Sequence, residues 1–301
     1  MSLLVTGSIG IDTVETPHGK AADVLGGSAV YFSFAASLLT PVRLVGVVGN
    51  DFPDQYRNLF RTRPIDTAGL ETRKESKTFR WHGKYVGDMN SAESLRTDLN
   101  VLSEEAPIIP DNFRDSKYVF LANTHPALQQ EFINQLKRPE LVVCDTMNLW
   151  INGAQDELRK TISRVHGMVF NDGEARLLTG KDSLIHAAHD VLNMGPQFVV
   201  IKKGENGAML VTRDDLFVLP GFPTAEVVDP TGAGDSFAGG MMGYLASVGK
   251  RDLTSLKAAM ARGTCAASIT IEAFSLDALK KATPAELQAR LTAFRNVLSF
   301  D

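Results

Sequence analysis

Short apolar runs bounded by turn residues recur along this chain: Leu3 to Val5, Val42 to Val48, Tyr118 to Leu121, Leu141 to Cys144, Gly167 to Phe170 and Phe198 to Ile201. Segments with helical spacing lie between many of them, such as Leu184, Ile185, Ala188, Val191 and Leu192. Apolar strands alternating with amphipathic helices need cover on both sides. The expected architecture is therefore α/β, with a mostly parallel central sheet and helices on both faces.

One stretch breaks this rhythm. Thr72 to Leu102 contains Phe79-Arg80-Trp81-His82-Gly83-Lys84-Tyr85, which alternates bulky and polar residues and leaves no room for a covering helix. It reads as an antiparallel excursion, pairing with Asp12 to Val24 in a small sheet beside the main one; an ordinary surface hairpin is the simpler alternative. With 301 residues and 44% hydrophobic content, the chain can build one large core.

Charge and cysteine usage narrow the function classes. The net charge is −4, with no basic run to follow a nucleic-acid backbone. Cys144 and Cys265 each sit in apolar sequence, which points to a reducing, cytoplasmic compartment and not to a disulfide framework. No segment approaches the roughly 18 apolar residues of a membrane span, and the N-terminus lacks the pattern of a targeting signal.

The chemistry concentrates in Val227-Val228-Asp229-Pro230-Thr231-Gly232-Ala233-Gly234-Asp235-Ser236-Phe237, read as an apolar strand breaking into a glycine turn before a helix. Glycines free the backbone and expose its amides, and amides at a helix N-terminus favour anions. A carboxylate beside such a turn would repel phosphate if binding were its only task. Asp235 is therefore expected to work on a neutral hydroxyl, accepting its proton during phosphoryl transfer. The alternative is that Asp235 or Ser236 only caps the helix. A dinucleotide fingerprint would need glycine at Phe237 and a P-loop would need lysine at Gly240.

This segment resembles the D-x-T-G-A-G-D signature of ribokinase-like, PfkB-type carbohydrate kinases, and further matches follow in that family's order across nearly the whole chain. The resemblance implies a single ribokinase-like kinase domain over residues 1–301, in which segments 12–24 and 72–102 form the lid over the substrate. It implies Asp235 as catalytic base, the amides of Gly232, Ala233 and Gly234 as anion hole with Thr231 beside them, and Asp229 as organiser of the metal and loop region. Asp12, at a strand end, resembles the sugar-binding aspartate, although on its own it reads as a turn residue. Gly26-Gly27 resembles the first signature, with Tyr31 where the family commonly has asparagine.

Asn171 and Glu174 match the family's N-x-x-E element, which supports Mg2+; the same residues also spell a capping box. Lys202, Gly204 and Gly207 resemble the ATP loop, or else a hairpin turn with solvated lysines. Asp145-Thr146-Met147-Asn148 lies where the family often carries D-x-N, with the asparagine displaced by one position. Glu272-Ala273-Phe274 replaces a glycine of many relatives and leaves monovalent-cation dependence open. Arg80 is assigned to a phosphate already on the acceptor. His186 and His189 lie on the polar side of their helix and are expected to be solvated.

The resulting expectation is ATP- and Mg2+-dependent phosphorylation of a hydroxyl, with a hydroxymethyl group preferred, on a sugar or sugar derivative. A nucleoside kinase of the same superfamily is the first alternative, because Tyr31, Phe79 and Trp81, which read first as core or lid packing, are also placed where a base could stack. A nonenzymatic ligand sensor keeping the fold is the second. The family analogy alone implies a homodimer through the lid.

Overall fold

A computed structural model describes residues 1–299; the last two positions of the 1–301 unit lie outside the described residues. The chain begins with β1 (Leu3–Thr6), β2 (Gly10–Thr16), β3 (Gly19–Gly26), α1 (Ser28–Ala36), β4 (Val42–Gly49), α2 (Asp54–Phe60), β5 (Ile65–Arg73), β6 (Phe79–Tyr85) and β7 (Ala92–Asp98). It continues through β8 (Tyr118–Leu121), α3 (Pro126–Asn134), β9 (Leu141–Cys144), α4 (Asn148–Gly153), α5 (Gln155–Ile162), β10 (Gly167–Asn171), α6 (Asp172–Thr179), α7 (Leu184–Leu192) and β11 (Phe198–Lys202). It closes with β12 (Ala208–Val211), β13 (Leu216–Leu219), α8 (Ala233–Val248), α9 (Leu253–Thr270) and α10 (Pro284–Leu298).

Nine strands form the main sheet in the order β13-β12-β11-β10-β9-β8-β1-β4-β5. Pairings from β5 across to β11 are parallel, and β12 and β13 add an antiparallel edge. The apolar runs explain the two covered faces. Leu3, Val5, Phe120, Val143 and Val200 pack into one core with α1, α8, α9 and α10, while Leu4, Val119, Val142 and Val199 pack into a second with α3, α5, α6 and α7. Successive residues of a strand point to opposite faces, so a run without alternation feeds both cores.

The excursion is a four-stranded sheet in the order β3-β2-β6-β7. Its two hairpins, β2–β3 and β6–β7, are antiparallel, and they join through a parallel β2–β6 pairing. Thr72 and Arg73 belong to β5 of the main sheet, so the excursion is narrower than 72–102 at its start. The first hairpin is tied to the far end of the sequence: Thr16 Oγ1 donates to Val228 O (2.9 Å) and Ser275 Oγ donates to Leu25 O (2.8 Å).

Val227 and Val228 form no strand. The amides of Val228 and Asp229 instead donate to the carbonyl of Ile271, just past the end of α9, so this segment is held by a helix terminus and not by the sheet.

Candidate active site

Open α/β sheets present ligand-binding residues beyond the carboxyl ends of their strands. Here the residues following β1, β8, β9, β10 and β11 meet the small sheet around a cavity of about 650 Å³. Asp12, Gly27, Tyr31, Glu174, Lys202, Thr231, Gly232, Gly234 and Asp235 all line it. A second cavity of about 210 Å³ is lined by Gly204, Gly207, Phe222, Ala233, Phe237 and Ile271, and shares Lys202 and Gly234 with the first.

The glycine turn opens α8. Gly232 is its N-cap in the left-handed region (φ 75°), with no side-chain cap bond, and the helix begins at Ala233. A Cβ on Gly232 would overlap the ring of Tyr31, so position 232 excludes any side chain on steric grounds as well as by its φ. Asp235 falls in the first turn of the helix and does not cap it. Its carboxyl opens onto the cavity. Burial, with the charge of Asp145 next, pushes it up to about 7 against the opposing pull of Lys202.

Lys202 ends β11 and reaches Asp145 Oδ2 at 3.2 Å; Asp145 Oδ1 accepts from the Thr146 amide at 2.8 Å. Burial acts against the lysine charge, but Asp145, Glu174 and Asp235 outweigh it and hold Lys202 above the ordinary lysine range. Glu174 is pushed up to about 7 by burial and by Asp145. Three carboxylates therefore share one buried cation.

Asp12 lines the same cavity. A Cβ on Gly26 would overlap its carboxylate, which is why glycine stands there. Asp12 Oδ1 is buried without a hydrogen-bond partner, and burial together with the nearby Asp229 charge pushes the group up to about 8. A buried carboxylate oxygen left unpaired at a cavity wall is a vacant acceptor for a ligand's hydroxyl.

Among the described residues, none form a cluster of three or more side chains able to hold a metal by themselves. Asn171 and Glu174 make the reciprocal capping box of α6, with Asn171 Oδ1 accepting from the Glu174 amide and Glu174 Oε2 from the Asn171 amide, both at 2.7 Å. Glu174 still faces the cavity, while Asn171 does not line it. Asp229 is 1% exposed, and its two oxygens accept from the amides of Thr231 and Ser275, both at 2.9 Å. It braces the glycine turn and presents no oxygen to the cavity. Hard divalent ions need few protein oxygens when phosphates and water complete the shell, and Glu174 with Asp145 supplies such a pair.

Residues 23–282 match the pattern of the pfkB family carbohydrate kinases. The chain belongs to that family. As a pfkB kinase it is a phosphotransferase with an alcohol group as acceptor, and its fold is the ribokinase-like one. The chain is 30% identical over 251 residues to a cytidine kinase of Thermococcus kodakarensis, covering 81% of this chain and 88% of that protein. A nucleoside kinase of Burkholderia thailandensis in complex with inosine superposes with a TM-score of 0.79 at 21% identity, covering 98% of each chain. A putative ribokinase II of E. coli in complex with ATP and Mg2+ gives 0.79 at 16%, over 97% of this chain and 99% of that one.

Arg80 of this kinase also stands apart from its sequence reading, whereas the two helical histidines agree with theirs. Arg80 does not reach the cavity; it points to the outer face of the small sheet and pairs with Asp23 (2.9 Å) and Asp51 (3.4 Å). His186 and His189 are exposed, as their polar helix face requires. Sequence reasoning placed Asp145 at a strand end near the family's D-x-N element without a defined role, and it passed over Asn123 and His125, which line the larger cavity with Phe79, Trp81 and Trp150. Asn123 likewise follows a strand closely, the one signal that could have marked it.

Proposed function

We propose that this kinase transfers the γ-phosphoryl group of ATP to the hydroxymethyl group of a nucleoside. The observation that carries this reading is the aromatic end of the acceptor cavity. His125 and Trp150 meet edge to face with ring centroids 5.0 Å apart, in the cavity that Phe79 and Trp81 also line. The indole N–H of Trp150 donates to Asn123 Oδ1 at 2.8 Å, which fixes that amide with its NH2 turned toward Met147 Sδ at 2.9 Å, a weak acceptor that a base carbonyl or ring nitrogen can replace. A free sugar held at Asp12 would leave these aromatic faces and this donor unused. The similarity to a cytidine kinase supports the same class.

In this reading Asp12 Oδ1 accepts a ribose hydroxyl, and the hydroxymethyl group lies toward Asp235. Asp235 takes the hydroxyl proton as the oxygen forms its bond to phosphorus and the bond between the β- and γ-phosphates breaks, releasing ADP. General-base assistance of this kind contributes about 10²- to 10⁴-fold. The amides at the start of α8 face the migrating group, where unpaired donors and the helix dipole favour negative charge. Lys202 neutralises charge from the nucleotide side. Glu174 and Asp145 would hold Mg2+, which supplies charge neutralisation on the phosphates when bound.

The test is ATP consumption with a panel of cytidine, uridine, adenosine, inosine, ribose, fructose and inositol. A kcat/KM for a nucleoside at least tenfold above that of every free sugar and inositol is the expected result. A free sugar or inositol outranking all nucleosides would replace this reading with the carbohydrate one.

A further inference from the structure

The smaller cavity has one wall that does not come from the loops of the main sheet. Asp88, Met89 and Asn90, at the tip of hairpin β6–β7, line it opposite Gly204. The root of the same hairpin, with Phe79 and Trp81, lines the acceptor cavity. Between root and tip, the buried Tyr85 places its hydroxyl 3.4 Å from Thr231 Oγ1 on the glycine turn.

The tip is a defined turn. Asp88 Oδ1 accepts from the Asn90 amide at 3.1 Å, and the Met89 amide donates to Val86 O at 3.2 Å. Asn90 Oδ1 lies over Gly204, whose missing Cβ would be 2.5 Å from it. The Asn90 side chain also bonds the Asp88 carboxylate through its NH2, which leaves its carbonyl oxygen over Gly204. A polar amide over a cavity, facing a glycine with φ 54°, is placed to bond whatever fills that cavity.

We propose that Asn90 is a positioning residue for the nucleotide, so that the lid hairpin completes the nucleotide site with its tip while its root encloses the acceptor. The inference depends on the kinase class alone and holds whichever acceptor is used. Because one hairpin serves both sites, each ligand that holds it in place favours the other, and by linkage the effect is reciprocal.

Binding of the Mg2+ complex of AMP-PNP, measured by calorimetry without acceptor, tests the contact. Asn90→Ala is expected to weaken it about threefold to tenfold, the range for one lost hydrogen bond. Asn90→Asp keeps the shape, adds a negative charge near the phosphates, and is expected to weaken it further; thermal unfolding confirms that both variants fold. A second readout is tryptic cleavage at the exposed Lys84 within the hairpin. AMP-PNP is expected to slow that cleavage in the native protein and not in Asn90→Ala. Unchanged affinity in both variants, together with no nucleotide protection of Lys84, would overturn the proposal.

Discussion

The ammonium of Lys202 lies 3.2 Å from Asp145 Oδ2, at a point shared by the larger and smaller cavities. It is the cation against which Asp145, Glu174 and Asp235 are all set. Lys202→Met removes that charge and leaves the carboxylates uncompensated. Losing one partner of a buried pair typically costs about 3–5 kcal/mol. The melting temperature is expected to fall, and to fall further at pH 8 than at pH 6 because Glu174 and Asp235 ionise over that interval; equal losses at both pH values would contradict the shared-cation account.

Asp235→Asn keeps the shape of the first turn of α8 and removes the proton acceptor. Turnover is expected to drop at least about a hundredfold while AMP-PNP binding stays within about twofold. Stability should move the other way. A carboxyl whose folded value is raised to about 7 contributes stability while protonated and loses it as pH rises through about 7. The variant should therefore melt higher than the native protein at pH 8 and no higher at pH 5, a comparison that scanning calorimetry makes directly.

The same shift sets the pH profile of the reaction. A base with its value near 7 is mostly protonated at pH 6 and mostly free at pH 8. kcat/KM is expected to rise about tenfold for each unit below the inflection and to level off above it. A profile flat from pH 5.5 to 8.5 would remove Asp235 from the proton-transfer role.

Gly26→Ala probes the acceptor end. The added methyl would occupy the space of the Asp12 carboxylate, so the acceptor KM is expected to rise at least about tenfold. AMP-PNP binds elsewhere and its dissociation constant should be unchanged. An unaltered acceptor KM would show that Asp12 does not hold the acceptor.

Asn123→Asp replaces the oriented NH2 with an acceptor while leaving an oxygen for the Trp150 indole. The ranking of bases is expected to change, with cytidine and uridine exchanging order or their ratio moving at least about fivefold. A uniform loss across all nucleosides would make Asn123 structural.

Much of the sheet was legible because a strand covered on both faces is an uninterrupted apolar run: Tyr118–Leu121 and Leu141–Cys144 agree with the reading residue for residue. β5 and β13 lie at the edges, with exposed side chains interspersed along each, and carry no such run. Val227-Val228 has strand composition, but its amides found a helix terminus first. The glycine turn was legible because few sequences open a helix on a left-handed glycine. The direction of a carboxylate was not. Asp229 and Asp235 sit six positions apart in one motif, yet backbone amides take both oxygens of the first while the second faces the cavity.

The bonds from Thr16 to Val228 and from Ser275 to Leu25 set an order on biogenesis. The ribosome releases the hairpin bearing Asp12 well before the segments that brace it, 212 residues apart for Thr16 and Val228 and 250 for Leu25 and Ser275. Early-made strands can condense into a sheet during synthesis, but Asp12 gains its full surroundings only after Ser275 has emerged. A fragment truncated before Ser275 would thus keep much of the scaffold and lack an assembled catalyst.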